Sequence, residues 1–161
     1  MPNPRWKVWN KSKEFLGDGT HFMVAGDLNC MLSTVSYADM ASFDSIGAYA
    51  DVSAGEVANG NGYATGGAAA GANWVRSGGI TQLIALGSVL SSWVGSGAGF
   101  TAVSAILYHL GTNNGIVKPL VAVLSLDITK PAWYVGPGVT FRVLPETGTN
   151  VILSVSGATV N

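Results

Sequence analysis

The sequence predicts an all-β protein, a single-domain β-sandwich of jelly-roll-like organisation with a short N-terminal arm or helix. Three observations predict this class. Short apolar segments of strand length alternate with turn signals about every ten residues. The chain has 22 glycines without a three-residue period, which indicates many turns. Helical signals are scarce, and 161 residues suit one domain with a hydrophobic core.

The chain is expected to divide into an N-terminal arm, residues 1–16, and one β-sandwich domain, residues 17–161. Within the arm, Lys7–Leu16 can form a short helix, which the turn signal Gly17-Asp-Gly19 would end. The segment Tyr37–Tyr49 carries acidic residues among small and apolar ones, which allows a loop or a helical turn. No internal repeat or linker interrupts the rest, so one domain is predicted.

Nine segments are predicted to be strands because each is apolar, of strand length and bounded by turn residues. They are His21–Ala25, Asp27–Thr34, Ala68–Val75, Ile80–Leu86, Val89–Val94, Thr101–His109, Leu120–Asp127, Val139–Leu144 and Val151–Ser156. In the eighth segment Val139, Phe141 and Val143 alternate with polar residues, as in a strand with one covered face. The segment from Thr101 to His109 is apolar on both faces, which indicates a central strand.

The most unusual feature is the scarcity of charge in the middle of the chain. Between residues 57 and 126 the only charged residues are Arg76 and Lys118, whereas an average domain carries about a quarter charged residues. Such a surface indicates a membrane span, aggregation or cover by other subunits. Glycines interrupt the uncharged stretch 77–117, and its longest apolar blocks run only seven or eight residues, so a membrane partner is not expected. We therefore expect neighbouring subunits to cover this surface.

The N-terminal arm concentrates cations and tryptophans. Four of the eight basic residues lie in the first thirteen positions. The candidate partner-binding residues are Arg5, Trp6, Lys7, Trp9, Lys11 and Lys13. Since Trp and Arg are common interface anchors, the arm is expected to bind an acidic neighbour and to become ordered there. The alternative is a solvated terminus whose tryptophans pack against the domain, and nucleic-acid binding is not expected with so few cations.

No residue pattern predicts catalysis. His21 and His109 fit no catalytic or metal-ligating spacing, and His109 is expected to end a strand. The glycines of Gly60–Gly66 lack the Gly-Lys-Ser/Thr ending of a phosphate loop, and the acidic residues do not form a calcium loop. Cys30, the single cysteine, lies in an apolar run and is expected to be buried. The chain is therefore expected to be no enzyme and to need no cofactor or metal.

One segment resembles a known family. Residues 50–67, Ala-Asp-Val-Ser-Ala-Gly-Glu-Val-Ala-Asn-Gly-Asn-Gly-Tyr-Ala-Thr-Gly-Gly, resemble a motif of small β-rich virion proteins of tailed bacteriophages, in which Asp-Val-x-x-x-Glu-Val leads through Gly-Tyr to Gly-Gly and a strand. The likeness continues in Trp93–Tyr108 and Lys118–Asp127, and spans residues 15–156. Ala68–Ala72 departs from the family pattern, which has a more β-branched strand there, and so does the basic arm.

The resemblance implies a structural protein of the virion, located on the capsid surface or in the tail, with no catalytic residues to carry over. The leading hypothesis is a capsid decoration (cement) protein that binds the assembled major capsid protein shell, with sister copies as further partners in a homo-oligomer. The first alternative is a tail, fibre or baseplate component. The second is a carbohydrate-binding or hydrolytic β-domain, for which the candidate sugar platform would be Trp74, Trp93, Trp133 and Tyr134, residues more typical of a core.

Overall fold

The structure is a computed structural model that describes residues 6–17, 27–36, 39–40, 45–77, 80–126, 132–145 and 151–156. β-strands predominate, and the all-β prediction is confirmed. The strands are β1 Trp6–Lys7, β2 Leu28–Ser33, β3 Ala68–Ala69, β4 Ala72–Ser77, β5 Ile80–Ala85, β6 Ser91–Val94, β7 Phe100–Ala102, β8 Ser104–His109, β9 Thr112–Asn113, β10 Ile116–Val117, β11 Leu120–Ser125, β12 Trp133–Val135, β13 Thr140–Val143 and β14 Val151–Ser156. The helices are α1 Asn10–Gly17 and α2 Tyr49–Val52, which a 3₁₀ turn at Ser53–Gly55 follows.

A five-stranded antiparallel sheet forms the centre of the molecule, in the order β1-β11-β8-β2-β3. β8 is the middle strand, and all six of its residues are buried, as its two-sided apolar pattern predicts. It pairs with β2 along its whole length, from Leu28 opposite His109 to Ser33 opposite Ser104. The two-residue strands β1 and β3 form the edges of this sheet, so neither edge presents a long strand.

The two faces of the central sheet carry different layers. Alternate residues of β8 point to opposite faces, with Ala105 and Leu107 in one hydrophobic cluster and Ile106 and Tyr108 in another. Strands β4–β7 and β12–β14 cover the first face, and we call them the β layer. It contributes Trp74, Leu83, Trp93, Phe100, Val135, Val143 and Ile152 to the core. α1 and residues 45–55 lie on the second face, and we call them the helical layer.

Two predicted strands are each divided between sheets. The predicted strand Thr101–His109 breaks at Val103, because β7 pairs with β12 whereas β8 belongs to the central sheet. The predicted strand Ala68–Val75 breaks at residues 70–71 for the same reason, since β3 pairs with β2 and β4 pairs with β5. A short break lets the chain change sheets. The predicted strand His21–Ala25 lies outside the described residues.

The described part of the N-terminal arm belongs to the fold. β1 adds to the edge of β11, with Trp6 opposite Leu124, and α1 begins at Asn10 rather than at the predicted Lys7. Trp9 is fully buried in the cluster of the helical layer, and the Ser12 hydroxyl donates to the Leu120 carbonyl at 2.7 Å. These contacts pack this part of the arm against the central sheet. No helix of the described residues is long and apolar enough to cross a membrane.

Candidate functional site

The carboxylate of Glu56 lies at the centre of the motif in residues 50–67. The Tyr63 hydroxyl donates to Glu56 Oε1 at 2.7 Å, and the Gly66 amide donates to the same oxygen at 2.6 Å. The Tyr49 hydroxyl donates to Glu56 Oε2. Both carboxylate oxygens therefore accept hydrogen bonds from protein groups. We call Glu56, Tyr49, Tyr63, Gly66 and Tyr108 the Glu56 cluster.

Local backbone pairing positions Glu56 at the edge of the central sheet. Glu56 forms an antiparallel bridge with Ser33, just beyond the part of β2 that pairs with β3. The Val57 amide donates to the Leu32 carbonyl at 3.0 Å, which continues this pairing. The carboxylate of Asp51 accepts the amides of residues 47 and 48 at 2.9 and 2.8 Å, and so fixes the start of α2. The helical layer thereby delivers Tyr49 to the carboxylate.

The glycine pair of the motif completes the Glu56 cluster. The Gly66 carbonyl accepts the Tyr108 hydroxyl at 2.6 Å and the Asn29 side-chain amide at 3.1 Å. Gly67 has a φ of +73°, and a Cβ at this position would overlap the Cys30 carbonyl. Only glycine fits where the loop crosses β2 so closely. The motif residues thus clamp α2, the loop 60–67 and the central sheet together.

Burial keeps the phenols of the Glu56 cluster protonated. Desolvation is the main cause that raises the pKa of Tyr63 and of Tyr49, and the hydrogen bond of each hydroxyl to Glu56 raises it further. Burial also raises the pKa of Tyr108. Lys118 Nζ lies 4.6 Å from the Tyr49 ring centroid and 5.9 Å from that of Tyr108, a cation–π contact beside the carboxylate. The arrangement therefore holds a carboxylate with fixed phenolic donors.

A second feature lies where three loops meet at the end of β6. These loops, residues 60–63, 94–99 and 134–139, contain no charged residue. The Asn61 carbonyl accepts the Ser96 amide at 2.9 Å, and Asn61 Oδ1 accepts the amide of residue 98 at 3.2 Å. We call the three loops the uncharged tip.

Backbone contacts fix the third loop of the uncharged tip to the second. The Gly95 amide donates to the Val139 carbonyl at 2.9 Å, and the Gly138 amide donates to the Gly95 carbonyl at 2.8 Å. Gly62 has a φ of +93°, and a Cβ there would overlap the Val94 carbonyl. The loops are thus held by backbone contacts that a larger residue would break.

Three large apolar side chains of the uncharged tip are exposed. Val94 is 55% exposed, Val139 is 52% exposed and Tyr134 is 64% exposed. Beneath them the Tyr63 ring contacts Trp93 and Phe100, with centroids 6.1 and 6.0 Å apart. Tyr63 therefore connects the Glu56 cluster, through its hydroxyl, to the base of the tip, through its ring.

The candidate partner-binding residues of the arm fall into different environments. Trp9 is fully buried and Trp6 is half-buried against the core, so both contribute to the fold. Lys11 forms an ion pair with Glu14 at 2.5 Å, while Lys7 and Lys13 are exposed. Arg5 lies outside the described residues. Partner binding by the arm stays a prediction, and Lys7 and Lys13 are the cations that a partner would reach.

The four aromatic residues of the candidate sugar platform do not share a surface. Trp74 and Trp93 are buried in the core between the central sheet and the β layer. Trp133 and Tyr134 are exposed, but they are consecutive residues of β12, so their side chains leave opposite faces of the strand. The geometry therefore gives no support to the carbohydrate-binding alternative.

The histidine and the cysteine of the described chain are buried. His109 ends β8, as predicted, is 1% exposed, and burial lowers its pKa to about 4 against the opposing effect of Asp27. Cys30 is fully buried, as predicted, and burial raises the pKa of its thiol to about 12. Among the residues that the structure describes, no three His, Cys, Asp or Glu side chains lie together as metal ligands would.

Sequence reasoning included Glu56 and Tyr63 in the motif but did not predict that they are in contact, and it did not single out Tyr49. Tyr49 and Tyr63 each stand seven residues from Glu56, a spacing that has no meaning without a regular helix. The uncharged tip was also missed, although its glycine-rich turns and lack of charge were visible signals. Comparison of the chain with protein-family models, with curated proteins and with solved structures found no match.

Proposed function

We propose that this chain is a structural protein of a tailed bacteriophage virion, and that it decorates the assembled capsid shell as a cement protein. The observation that carries the proposal is the scarcity of charged residues between residues 57 and 117, together with the apolar side chains that the fold exposes. Residues 57–117 contain a single charged residue, Arg76. The large apolar side chains exposed on the described chain are Val75, Leu86, Val94, Leu110, Val117, Trp133, Tyr134, Val139 and Leu144. Such a surface suits burial against other polypeptides.

The Glu56 cluster supports a structural role. The residues that carry the family resemblance, Glu56, Tyr63 and the pair Gly66–Gly67, act here by holding three segments of the fold together. A decoration protein has to keep its shape while it bridges neighbouring capsid subunits. An internal clamp of this kind serves that requirement.

The uncharged tip also supports the proposal. Because backbone hydrogen bonds already hold its loops, little conformational entropy is lost when the tip binds a partner. Each copy needs only modest affinity, since contacts sum over the many equivalent sites of a shell. The exposed cations Lys7 and Lys13 lie on β1 and α1. They would contact an acidic surface of the major capsid protein.

The proposal is tested by the stoichiometry of the chain in purified virions of the phage that encodes it. Quantitative mass spectrometry should find the chain in numbers comparable with those of the major capsid protein. A small fraction of that number would assign the chain to the tail instead. Complete absence from the particle would overturn the virion assignment.

Binding to shells tests the role of the arm. Purified shells that lack the chain are mixed with it and sedimented. Lys7→Glu and Lys13→Glu should each weaken co-sedimentation, because both side chains are exposed and the partner surface is expected to be acidic. Lys7→Arg and Lys13→Arg are the matched controls, since they alter the same side chains but keep the positive charge. Equal binding by the glutamate and arginine variants would remove the arm from the docking surface.

A further inference from the structure

The chain contains three Asn-Gly pairs, and we call them in chain order the first, second and third pair. They are Asn59-Gly60, Asn61-Gly62 and Asn114-Gly115. An asparagine followed by glycine is prone to lose its side-chain amide spontaneously, because glycine has no Cβ to hinder ring closure and its backbone is conformationally permissive. The three pairs share this local chemistry, so the fold around each pair decides how fast it reacts.

The reaction needs no co-reactant except water. The backbone nitrogen of the glycine loses its proton and attacks the side-chain carbonyl carbon of the asparagine. A C–N bond forms, the bond from this carbon to the side-chain nitrogen breaks, and that nitrogen leaves with the proton as ammonia. Water then hydrolyses the resulting five-membered imide at one of its two carbonyl carbons, which gives aspartate or isoaspartate. The attack requires the backbone to leave a tight turn.

Hydrogen bonds hold both reacting groups of the first pair. Asn59 Oδ1 accepts the Thr65 amide at 3.3 Å. The attacking nitrogen, that of Gly60, donates to the Tyr63 carbonyl at 2.8 Å. Reaction at the first pair therefore requires this loop to open.

The second pair is held against the loop that follows β6. Asn61 Oδ1 accepts the Ala98 amide at 3.2 Å. Gly62 lies so close to β6 that a Cβ there would overlap the Val94 carbonyl. Reaction at the second pair therefore requires two loops to separate.

The third pair forms the turn of the hairpin β9–β10. Asn114 and Gly115 have φ values of +47° and +79°, as in a two-residue type I′ turn. Asn114 is exposed, and a Cβ at Gly115 would meet no atom of the described chain within 4 Å. β9 and β10 have two residues each and pair with each other. An isolated two-stranded hairpin is marginally stable, so this turn opens at a lower cost in free energy than the packed loops do.

We propose that Asn114 is a site of spontaneous modification, at which asparagine converts to aspartate and isoaspartate in the folded chain, while the fold protects Asn59 and Asn61. The inference does not rest on the proposed function. Each event adds one negative charge to a hairpin that has no charged residue between positions 111 and 117. Isoaspartate also lengthens the main chain by one carbon atom, so the two-residue turn no longer fits its product.

Peptide mapping of the folded full chain tests the proposal. The purified chain is kept at mildly alkaline pH, samples are digested with chymotrypsin, and mass spectrometry measures the conversion at each pair relative to the sample at time zero. Cleavage after Leu110 and Leu120 isolates the third pair. Cleavage after Tyr49 and Tyr63 isolates the other two pairs, which fragment ions then distinguish.

The same chain unfolded in urea is the reference. Dividing each rate in the folded chain by the rate of the same pair in urea removes the effect of neighbouring residues in the sequence. This quotient should be at least about tenfold larger for the third pair than for the first or second pair. Equal quotients, a larger quotient for the first or second pair, or no conversion of the third pair in the folded chain would each overturn the proposal.

Two variants distinguish local opening from unfolding of the whole chain. Ile116→Gly removes a half-buried side chain from β10, so conversion should accelerate at the third pair alone. Glu56→Ala releases the loop that Tyr63 and Gly66 bind to the carboxylate, so conversion should accelerate at the first and second pairs alone. Equal acceleration of all three pairs in both variants would show that the reaction requires global unfolding, and would overturn the proposal.

Discussion

The Glu56 cluster and the uncharged tip share Tyr63, but different interactions hold the two regions together. Glu56 is a charged group whose carboxylate oxygens accept hydrogen bonds from tyrosines and a backbone amide. The tip exposes apolar side chains and satisfies its backbone through contacts between loops. Tyr63 contributes its hydroxyl to the first region and its ring to the second. The comparison indicates that a buried carboxylate network fixes one region, whereas backbone hydrogen bonds hold the loops of the tip without any charged side chain.

If the buried regions provide most of the stability, the largest loss of unfolding free energy should follow a substitution in the core beneath the helical layer. Trp9→Ala removes a fully buried indole from the cluster that also contains Ile106 and Val123. We expect the free energy of unfolding to fall by about 4 kcal/mol, as for other large aromatic truncations. Urea unfolding followed by fluorescence or circular dichroism measures it. Lys13→Ala, on the exposed side of α1, should change stability by less than about 0.5 kcal/mol. A small effect of Trp9→Ala would mean that the arm is not part of the core.

Glu56→Ala tests the internal clamp directly. It leaves the hydroxyls of Tyr49 and Tyr63 and the amide of Gly66 without their acceptor, which should cost about 3 kcal/mol. Glu56→Gln retains one acceptor oxygen and should cost roughly half as much. Glu14→Ala is the control, since Glu14 is an exposed carboxylate whose ion pair with Lys11 contributes little. Equal stability of the Glu56 and Glu14 variants would show that the cluster does not stabilise the fold.

Two glycines of one loop test the rigidity of the uncharged tip. Gly60 and Gly62 both have positive φ, but a Cβ at Gly60 meets no atom within 4 Å, whereas at Gly62 it overlaps the Val94 carbonyl. Gly60→Ala should cost about 1 kcal/mol of backbone strain. Gly62→Ala should cost about 2 kcal/mol, because the loop must also move away from β6. Identical behaviour of the two variants would contradict a closely packed tip.

The longer strands could be predicted from the sequence because each carries its own signal. β2, β5, β8, β11 and β14 are apolar segments of six residues between turns, and they lie within the predicted strands. The two- and three-residue strands β1, β9, β10 and β12 were missed. They are too short for any periodicity and exist only because a partner strand lies beside them.

The candidate sites were less predictable than the strands because they depend on topology. Tyr108 reaches the Gly66 carbonyl from a strand 42 residues away in sequence. The tip combines loops that lie more than 70 residues apart along the chain, between residues 60 and 139. The sequence shows that charged residues are scarce in the middle of the chain. It does not show that three uncharged loops lie side by side in the fold. Trp9 illustrates a different difficulty. The basic and aromatic pattern around it is typical of a docking arm, but the same pattern also suits a segment that packs against a sheet.

Acid should destabilise the central sheet through His109, which ends β8. Burial lowers the pKa of His109 from 6.5 to about 4, so between these pH values the unfolded chain binds a proton that the folded chain does not. Stability is therefore complete above about pH 6.5 and falls as the pH approaches 4. From this residue alone we expect a loss of about 2 kcal/mol between pH 7 and pH 5.

Urea unfolding at pH 7, 6 and 5 measures this dependence. His109→Gln removes the titrating group and should flatten the pH dependence, whatever its effect on stability at pH 7. A pH dependence that His109→Gln leaves unchanged would place the acid sensitivity elsewhere.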